Sequence, residues 1–266
     1  MELFSFGFFQ KAFLAAVFAS ISCGIVGSYI VSRRIVFISS GITHASFGGI
    51  GLAFFAGFNP LIGAILFAVL SAMGIQYFTK TAEIREDSSI AIWWSLGMAL
   101  GVIFVFLTPG YTPNLMSYLF GNILTVTTAE LWWMFILNIV LISFFSMLLS
   151  KILFIAFDEE FAQAAGLNVN FFNYLTIILI ALTVVLNIRV VGIILILSLL
   201  TIPQASANLF TKDFRKLLVL STIFAFIGTI SGLFISYFLD IPSGAAIIFT
   251  LVIMFGIFRL SKFMKK

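Results

Sequence analysis

The chain has 266 residues, of which 62% are hydrophobic and only 9% are charged. A soluble domain carries about 25% charged residues, so the composition excludes a soluble enzyme, a disordered chain and a disulfide scaffold. The net charge of +4 comes without a basic patch interleaved with aromatic residues, and it indicates contact with anionic lipid rather than with nucleic acid.

Polar residues divide the chain into nine apolar runs, each about long enough to cross a membrane as a helix. We therefore predict an all-α, polytopic membrane protein with about nine transmembrane helices, forming a single domain over 1–266. Only Arg189 and Gly192 separate the sixth run from the seventh, so eight helices, one of them bent, is the alternative. The runs are 10–31, 35–57, 59–78, 89–107, 129–150, 171–190, 191–210, 214–238 and 242–260.

The positions of lysine and arginine orient these helices. If nine runs alternate in direction, all 14 basic residues except Lys11 and Arg189 fall on the same side. Cytoplasmic loops carry the excess of basic residues, so we predict an external N-terminus and a cytoplasmic C-terminus. No basic segment and cleavage site precede the first run, which favours a retained span.

The second run contains the only histidine, His44, ten residues after Arg34 and therefore near the middle of the membrane. Ser40, His44 and Gly48 share one helix face, and small residues at the same four-residue spacing beside them allow close helix packing. One interpretation is that the imidazole contacts a solute passing along the helix interface, because neutral imidazole is a common metal ligand. The other is a packing histidine that donates one interhelical hydrogen bond.

The stretch 108–128, rich in glycine and proline, separates the fourth run from the fifth, and the sequence leaves open whether it re-enters the membrane. The loop 151–170 contains three adjacent acids followed by helix-forming residues. Acids suit the N-terminal end of a helix, and Gly166 lies where a C-terminal cap is expected. We predict a short helix of about two turns on the cytoplasmic side, serving either as a docking element or as a solvated loop. The acids are Asp158, Glu159 and Glu160.

Several kinds of chemistry are missing from the sequence. It has no Gly-x-x-x-x-Gly-Lys-Ser/Thr phosphate loop, no Cys/His cluster for zinc, and only one cysteine, Cys23. No Gly-x-Ser-x-Gly motif marks a serine hydrolase, which makes an intramembrane hydrolase the weakest hypothesis. Four tryptophans lie near the starts of runs, where they are typical of anchors at the membrane interface. They are Trp93, Trp94, Trp132 and Trp133.

Three segments resemble, in consistent order, the permease subunits of bacterial ABC importers for zinc, manganese and iron, the metal-chelate type of ABC transporter. The first is similar to the family's extracellular-side segment. The second is similar to its coupling helix, acidic-Glu-x-Ala-x-x-x-Gly-ϕ-x-Val with ϕ apolar. The third is similar to its Val-Gly…Leu-Leu-x-x-Pro-Ala-x-x-Ala span. The segments are 115–124, 159–169 and 190–207, within a resemblance that covers about 33–243.

The resemblance implies a homodimer that forms the translocation path, a separate cytoplasmic ATPase and an extracytoplasmic metal-binding protein that delivers the ion. It implies a multi-pass transport subunit of a bacterial cytoplasmic membrane rather than an enzyme, with no permanently bound cofactor and with a divalent metal as cargo. It also assigns the ATPase contact to the coupling helix. The residues of this contact are Asp158, Glu159, Glu160, Ala162 and Gly166.

One residue departs from the family pattern. Better-known members carry Asp-x-x-x-His on the second span, and here Ser40 occupies the aspartate position. The resemblance implies transient metal contact by His44 and Ser40, but a hydroxyl is a far weaker ligand than a carboxylate. Zinc prefers nitrogen and sulfur donors whereas manganese prefers carboxylates, so we predict zinc first, then manganese or iron. Whether these residues form a binding site or only line a passage is open.

Other polar positions have two interpretations each. Pro203 breaks the seventh run and frees a carbonyl to the pathway, or it is a packing kink. Arg189 gates the pathway or contacts the delivery protein, or it extends to the interface. Asn187 lines the pathway or forms an intramembrane hydrogen bond. Asn114 and Asn122 are candidates for contact with the delivery protein.

Two other transport functions are weighed against metal-ion import. An ABC permease for a metal chelate, such as a siderophore or cobalamin, is disfavoured because such permeases are commonly longer. A secondary transporter driven by an ion gradient usually carries a carboxylate inside the membrane. Here Glu130 and Asp240 lie at the boundaries of runs, which disfavours that hypothesis.

Overall fold

The structure is a computed structural model that describes residues 6–109 and 123–264. Within these ranges there are eleven α-helices and no β-strand. Eight of the helices are long and apolar enough to cross a membrane, which confirms the predicted all-α, multi-span architecture. Asn114, Asn122 and nearly all of the segment 115–124 lie outside the described residues, as does most of the stretch 108–128.

Most helices follow the predicted runs, and a single 3₁₀ turn, Ile123–Thr125, precedes the fifth helix. The predicted end of the fifth run at 150 is wrong, because this apolar helix continues to Phe157 and takes in the first part of the predicted loop 151–170. The eight candidate spans are α1 to α5, α7, α10 and α11. In chain order the helices are α1 Gly7–Arg33, α2 Val36–Ala56, α3 Pro60–Lys80, α4 Glu86–Leu107, α5 Thr128–Phe157, α6 Glu159–Ala164, α7 Val169–Val191, α8 Ile193–Leu199, α9 Ile202–Ala207, α10 Phe214–Leu239 and α11 Ser243–Phe263.

Local chemistry accounts for the helix ends. Asn59 caps α3 by accepting a hydrogen bond from a backbone N–H at 2.9 Å, and Pro60 follows at the first helical position, where its missing N–H costs nothing. Asp213 caps α10 in the same way at 3.1 Å. Arg34 and Asp240, with φ of 61° and 53°, end α1 and α10 in left-handed conformations. The predicted breaks at these positions are confirmed.

The seventh run is not a continuous helix. Gly192, with φ of +82°, separates α7 from α8, and α8 and α9 are only 7 and 6 residues long. The break between the sixth and seventh runs is therefore confirmed, and the structure contains eight long helices plus this interrupted segment. The orientation of the helices in the membrane stays a prediction.

The chain divides into two compact units, each described by itself. The α1 unit comprises the described residues of Met1–Val36, Leu115–Leu141 and Leu186–Lys266. In it α1 packs against α10, with the Phe9 and Phe234 rings 5.8 Å apart. The α2 unit comprises those of Phe37–Asn114 and Ile142–Val185, and in it α2 contacts both α3 and α4. The single-domain prediction stays untested.

Candidate functional site

Direct backbone contact holds α2 against α3 and α4. Gly49 and Gly63 face each other so closely that a Cβ on either would overlap the carbonyl oxygen of the other. A Cβ on Gly51 would lie 2.6 Å from the Gly101 carbonyl oxygen. Small residues permit this approach, so the predicted close packing of the second span is confirmed. We name the following set the glycine seam: Gly48, Gly49 and Gly51 of α2, Gly63 of α3, and Gly97 and Gly101 of α4.

His44 lies on α2 beside the glycine seam, and its ring stacks on Trp94 of α4. The ring centroids are 4.3 Å apart and the ring planes differ by 2°. The His44 side chain is half-buried, and its Nδ1 is buried with no hydrogen-bond partner among the residues that the structure describes. This histidine therefore makes an interhelical ring stack, and the interhelical hydrogen bond of the packing interpretation is not found at Nδ1 within the described residues.

Ser40 lies one helical turn before His44 and is also half-buried. Within residues 6–109 and 123–264, no three His, Cys, Asp or Glu side chains come close enough together to hold a metal ion. A structural metal site for zinc takes four ligands, and one imidazole with one hydroxyl cannot form such a site. Transient metal contact by Ser40 and His44 stays a prediction.

The predicted short helix is present as α6. The Asp158 carboxylate accepts a backbone hydrogen bond at 2.9 Å and caps the helix. Gly166, with φ of +84°, ends it, and its N–H donates to the Gln163 carbonyl at 3.0 Å. The Leu167 N–H donates to the Ala162 carbonyl at 3.1 Å, completing a Schellman motif. The prediction of a helix with Gly166 at its C-terminal end is confirmed.

One side of α6 is anchored and the other is exposed. Ala162 is fully buried against Ile155 and Val169, and Glu159 forms an ion pair with Lys80 at the end of α3. On the exposed side, the side chains of Phe157 and Phe161 are 87% and 60% exposed, and two exposed acids lie beside them in the chain. Large exposed apolar groups in a polar loop are typical of an interaction surface. We name this set the coupling surface: Phe157, Asp158, Glu160 and Phe161.

Three buried amide side chains hold α1 within its own unit. Asn138 of α5 donates a hydrogen bond to the Phe18 carbonyl oxygen at 3.1 Å. Asn187 of α7 donates to the Ser22 hydroxyl oxygen at 3.1 Å, and Gln204 of α9 donates to the Cys23 carbonyl oxygen at 2.8 Å. Asn187 therefore takes part in an intramembrane hydrogen bond, as one of its two interpretations predicted, and its role in the pathway stays a prediction. We name this set the amide clasp: Asn138, Asn187 and Gln204, with Phe18 O, Ser22 Oγ and Cys23 O as their acceptors.

Pro203 explains why Gln204 is needed. Proline has no N–H, so the Leu199 carbonyl, four residues earlier, lacks its helical donor. The Gln204 Nε2 donates to this carbonyl at 3.1 Å. The carbonyl that Pro203 frees is thus bonded within the protein. The backbone of Arg189 lies in the last turns of α7, and its gating role stays a prediction.

The sequence patterns did not indicate Trp94, Asn138 or Gln204 as structural partners. The position of Trp94 near the start of a run predicted an anchor at the membrane interface, and the two amides were not among the candidate residues. Polar side chains within lipid-spanning runs need internal partners, so the two amides carried a usable signal. Nothing in the local sequence of Trp94 indicates that its ring meets His44, because the two residues belong to different helices.

Three comparisons place the chain among known proteins. Residues 5–261 match the ABC 3 transport family. The manganese transport system membrane protein MntC of Listeria monocytogenes is 34% identical, over 96% of this chain and 91% of that protein. The manganese import system permease protein ScaB of Streptococcus gordonii is 34% identical, over 95% and 91%. The solved structure of PsaBC from Streptococcus pneumoniae in complex with Fab matches with a TM-score of 0.84 at 33% identity, over 96% and 92%.

These matches cover nearly the whole chain and confirm the family resemblance. The named relatives are transport proteins and not enzymes. Both names specify manganese, and neither mentions zinc, the ion that the donor chemistry ranked first. The chain therefore belongs to the ABC 3 transport family, as the multi-pass inner-membrane permease of a metal importer.

Proposed function

We propose that this permease imports manganese. Two copies form the translocation path, a separate cytoplasmic ATPase supplies the energy, and an extracytoplasmic protein delivers the ion. The observation that carries the proposal is the 34% identity, over more than nine-tenths of the chain, to permeases named for manganese. The absence of a phosphate loop in the sequence supports a separate ATPase. The metal is cargo, and no cofactor is bound permanently.

In this proposal His44 contacts the ion during passage, with Ser40 beside it. Transport favours weak contact, because an ion must leave a site as well as enter it. We expect His44→Ala to lower manganese uptake while the amount of permease in the membrane is unchanged. Uptake equal to wild type would reduce His44 to a packing residue.

Zinc is the second candidate cargo, and one observation favours it. The second span offers an imidazole and a hydroxyl but no carboxylate, and zinc accepts nitrogen donors more readily than manganese does. Uptake of radiolabelled manganese and, in parallel, of radiolabelled zinc by cells that express the complete importer, compared with a deletion strain, separates the two ions. We expect saturable manganese uptake that excess unlabelled manganese abolishes. Saturable zinc uptake without manganese uptake would replace manganese with zinc.

We further propose that the ATPase docks on the coupling surface. Two exposed aromatic side chains and two exposed acids support this assignment, since a partner can cover the former and pair with the latter. Glu160→Lys should uncouple ATP hydrolysis from uptake without unfolding the permease, because the Glu160 side chain is exposed. Asp240→Lys is the matched control, since it reverses an exposed acid between α10 and α11. Equal uptake by both variants would contradict this docking assignment.

A further inference from the structure

The Trp94 ring stacks on the His44 imidazole, and the proposed function gives Trp94 no role. The two rings are stacked with nearly parallel planes, which differ by 2°, and their centroids lie 4.3 Å apart. Trp94 remains 36% exposed, so the indole is placed over the imidazole without being enclosed.

The helices that carry the two rings are in direct backbone contact next to the stack. A Cβ on Gly97 would overlap the backbone of Ala45, the residue that follows His44. Gly97 lies three residues after Trp94, on the same face of α4. The Trp94 side chain therefore projects from a part of α4 whose backbone contacts α2 at the residue next to His44.

A metal-binding histidine is ordinarily oriented by a hydrogen bond from its second ring nitrogen to a carboxylate, a carbonyl or water. For His44 the buried Nδ1 has no such partner within the described part of the chain. The contact that restricts the plane of this ring is the stacked indole.

We infer that Trp94 is a positioning residue that holds the His44 imidazole in one plane for the passing metal ion. This inference rests on the proposed function. A metal binds an imidazole nitrogen within the plane of the ring, and the indole covers one face. The ring plane that Trp94 sets thus determines the direction from which the ion meets His44, with Nδ1 buried and Nε2 left as the donor.

The test measures manganese uptake as a function of manganese concentration in the complete importer. Trp94→Ala should raise the apparent KM about tenfold, at the lower end of the effect of losing an orienting group, with little change in maximal rate. Trp94→Phe keeps a ring that can stack and should restore a KM near that of wild type. Trp93→Ala is the matched control, because the Trp93 ring packs over Gly74 instead.

The outcomes separate the inference from the proposed function. If His44→Ala lowers uptake but Trp94→Ala keeps the wild-type KM, the positioning role is overturned and the role of His44 stands. A Trp94→Phe variant as impaired as Trp94→Ala, or an equal KM shift in Trp93→Ala, overturns it as well. If His44→Ala itself leaves uptake unchanged, the proposed site and the inference fail together.

Discussion

The two units hold their helices together by different means. In the α2 unit, the glycine seam brings the backbone of α2 into direct contact with the backbones of α3 and α4. In the α1 unit, the amide clasp ties α1 to its neighbours through side-chain hydrogen bonds. The first arrangement is sensitive to added volume, and the second is sensitive to the loss of a donor.

The difference follows from the continuity of the helices. Helices α2, α3 and α4 are unbroken, so their backbone groups are paired internally and the helices need only fit together. The break between α8 and α9 leaves the Leu199 carbonyl without its helical donor, and Gln204 supplies one. This arrangement also needs a glycine, because a Cβ on Gly27 would overlap the Gln204 amide. An interrupted helix in lipid therefore requires both a polar side chain and space for it.

The largest expected effect comes from adding one methyl group to the glycine seam. Gly49→Ala places a Cβ against the backbone carbonyl of Gly63, which cannot rotate away as a side chain would. Overpacking costs about 1 to 3 kcal/mol, and we expect the upper end of this range. The measurement is the midpoint of thermal unfolding of the purified permease in detergent.

Gly256→Ala is the control for this substitution. Gly256 lies in α11 with open space around its Cα, and alanine is the better helix former by about 0.5 to 1 kcal/mol. The control should therefore equal or exceed wild type in stability. If Gly49→Ala and Gly256→Ala unfold at the same temperature, the helices of the seam are not in backbone contact.

A smaller effect is expected from removing a donor from the amide clasp. Gln204→Met keeps the length of the side chain but loses the hydrogen bonds to the Cys23 and Leu199 carbonyls, at 2.8 and 3.1 Å. Interhelical hydrogen bonds in membranes contribute about 1 to 2 kcal/mol, so the unfolding midpoint should fall by less than in Gly49→Ala.

The control for the clasp is Ser198→Ala. Among residues 6–109 and 123–264, the Ser198 hydroxyl bonds only to the Ile194 carbonyl of its own helix, at 3.1 Å, so its loss should leave the midpoint almost unchanged. A Gln204→Met variant as stable as Ser198→Ala would mean that the hydrogen bonds from Gln204 to the Cys23 and Leu199 carbonyls do not stabilise the interrupted helix.

The parts of the fold that depend on local chemistry could be predicted from the sequence. Asn59 with Pro60, Asp158 and Gly166 mark helix ends because caps act within a few residues. The position of His44 on a closely packed helix followed from the spacing of small residues. Its stack on Trp94 and the bond from Gln204 to Cys23 join residues 50 and 181 positions apart. Such pairs depend on how helices turn toward each other, which neither apolar runs nor capping residues specify.

The smallest effect is expected at Gly166, a glycine that is needed for its backbone conformation. The glycines of the seam, by contrast, are needed because a Cβ would overlap the neighbouring helix. Gly166 has φ of +84°, and apart from its two chain neighbours no described residue has a heavy atom within 4 Å of an added Cβ. Gly166→Ala therefore meets no clash and bears only the left-handed backbone cost, about 1 to 2 kcal/mol. Amide hydrogen exchange in α6 should accelerate about five- to thirty-fold, with the global unfolding midpoint unchanged.

Gly57→Ala, with φ of +74° and equally open surroundings, is the control and should leave exchange in α6 at its wild-type rate. If exchange in α6 is equally slow in both variants, the Schellman ending does not limit the stability of this helix.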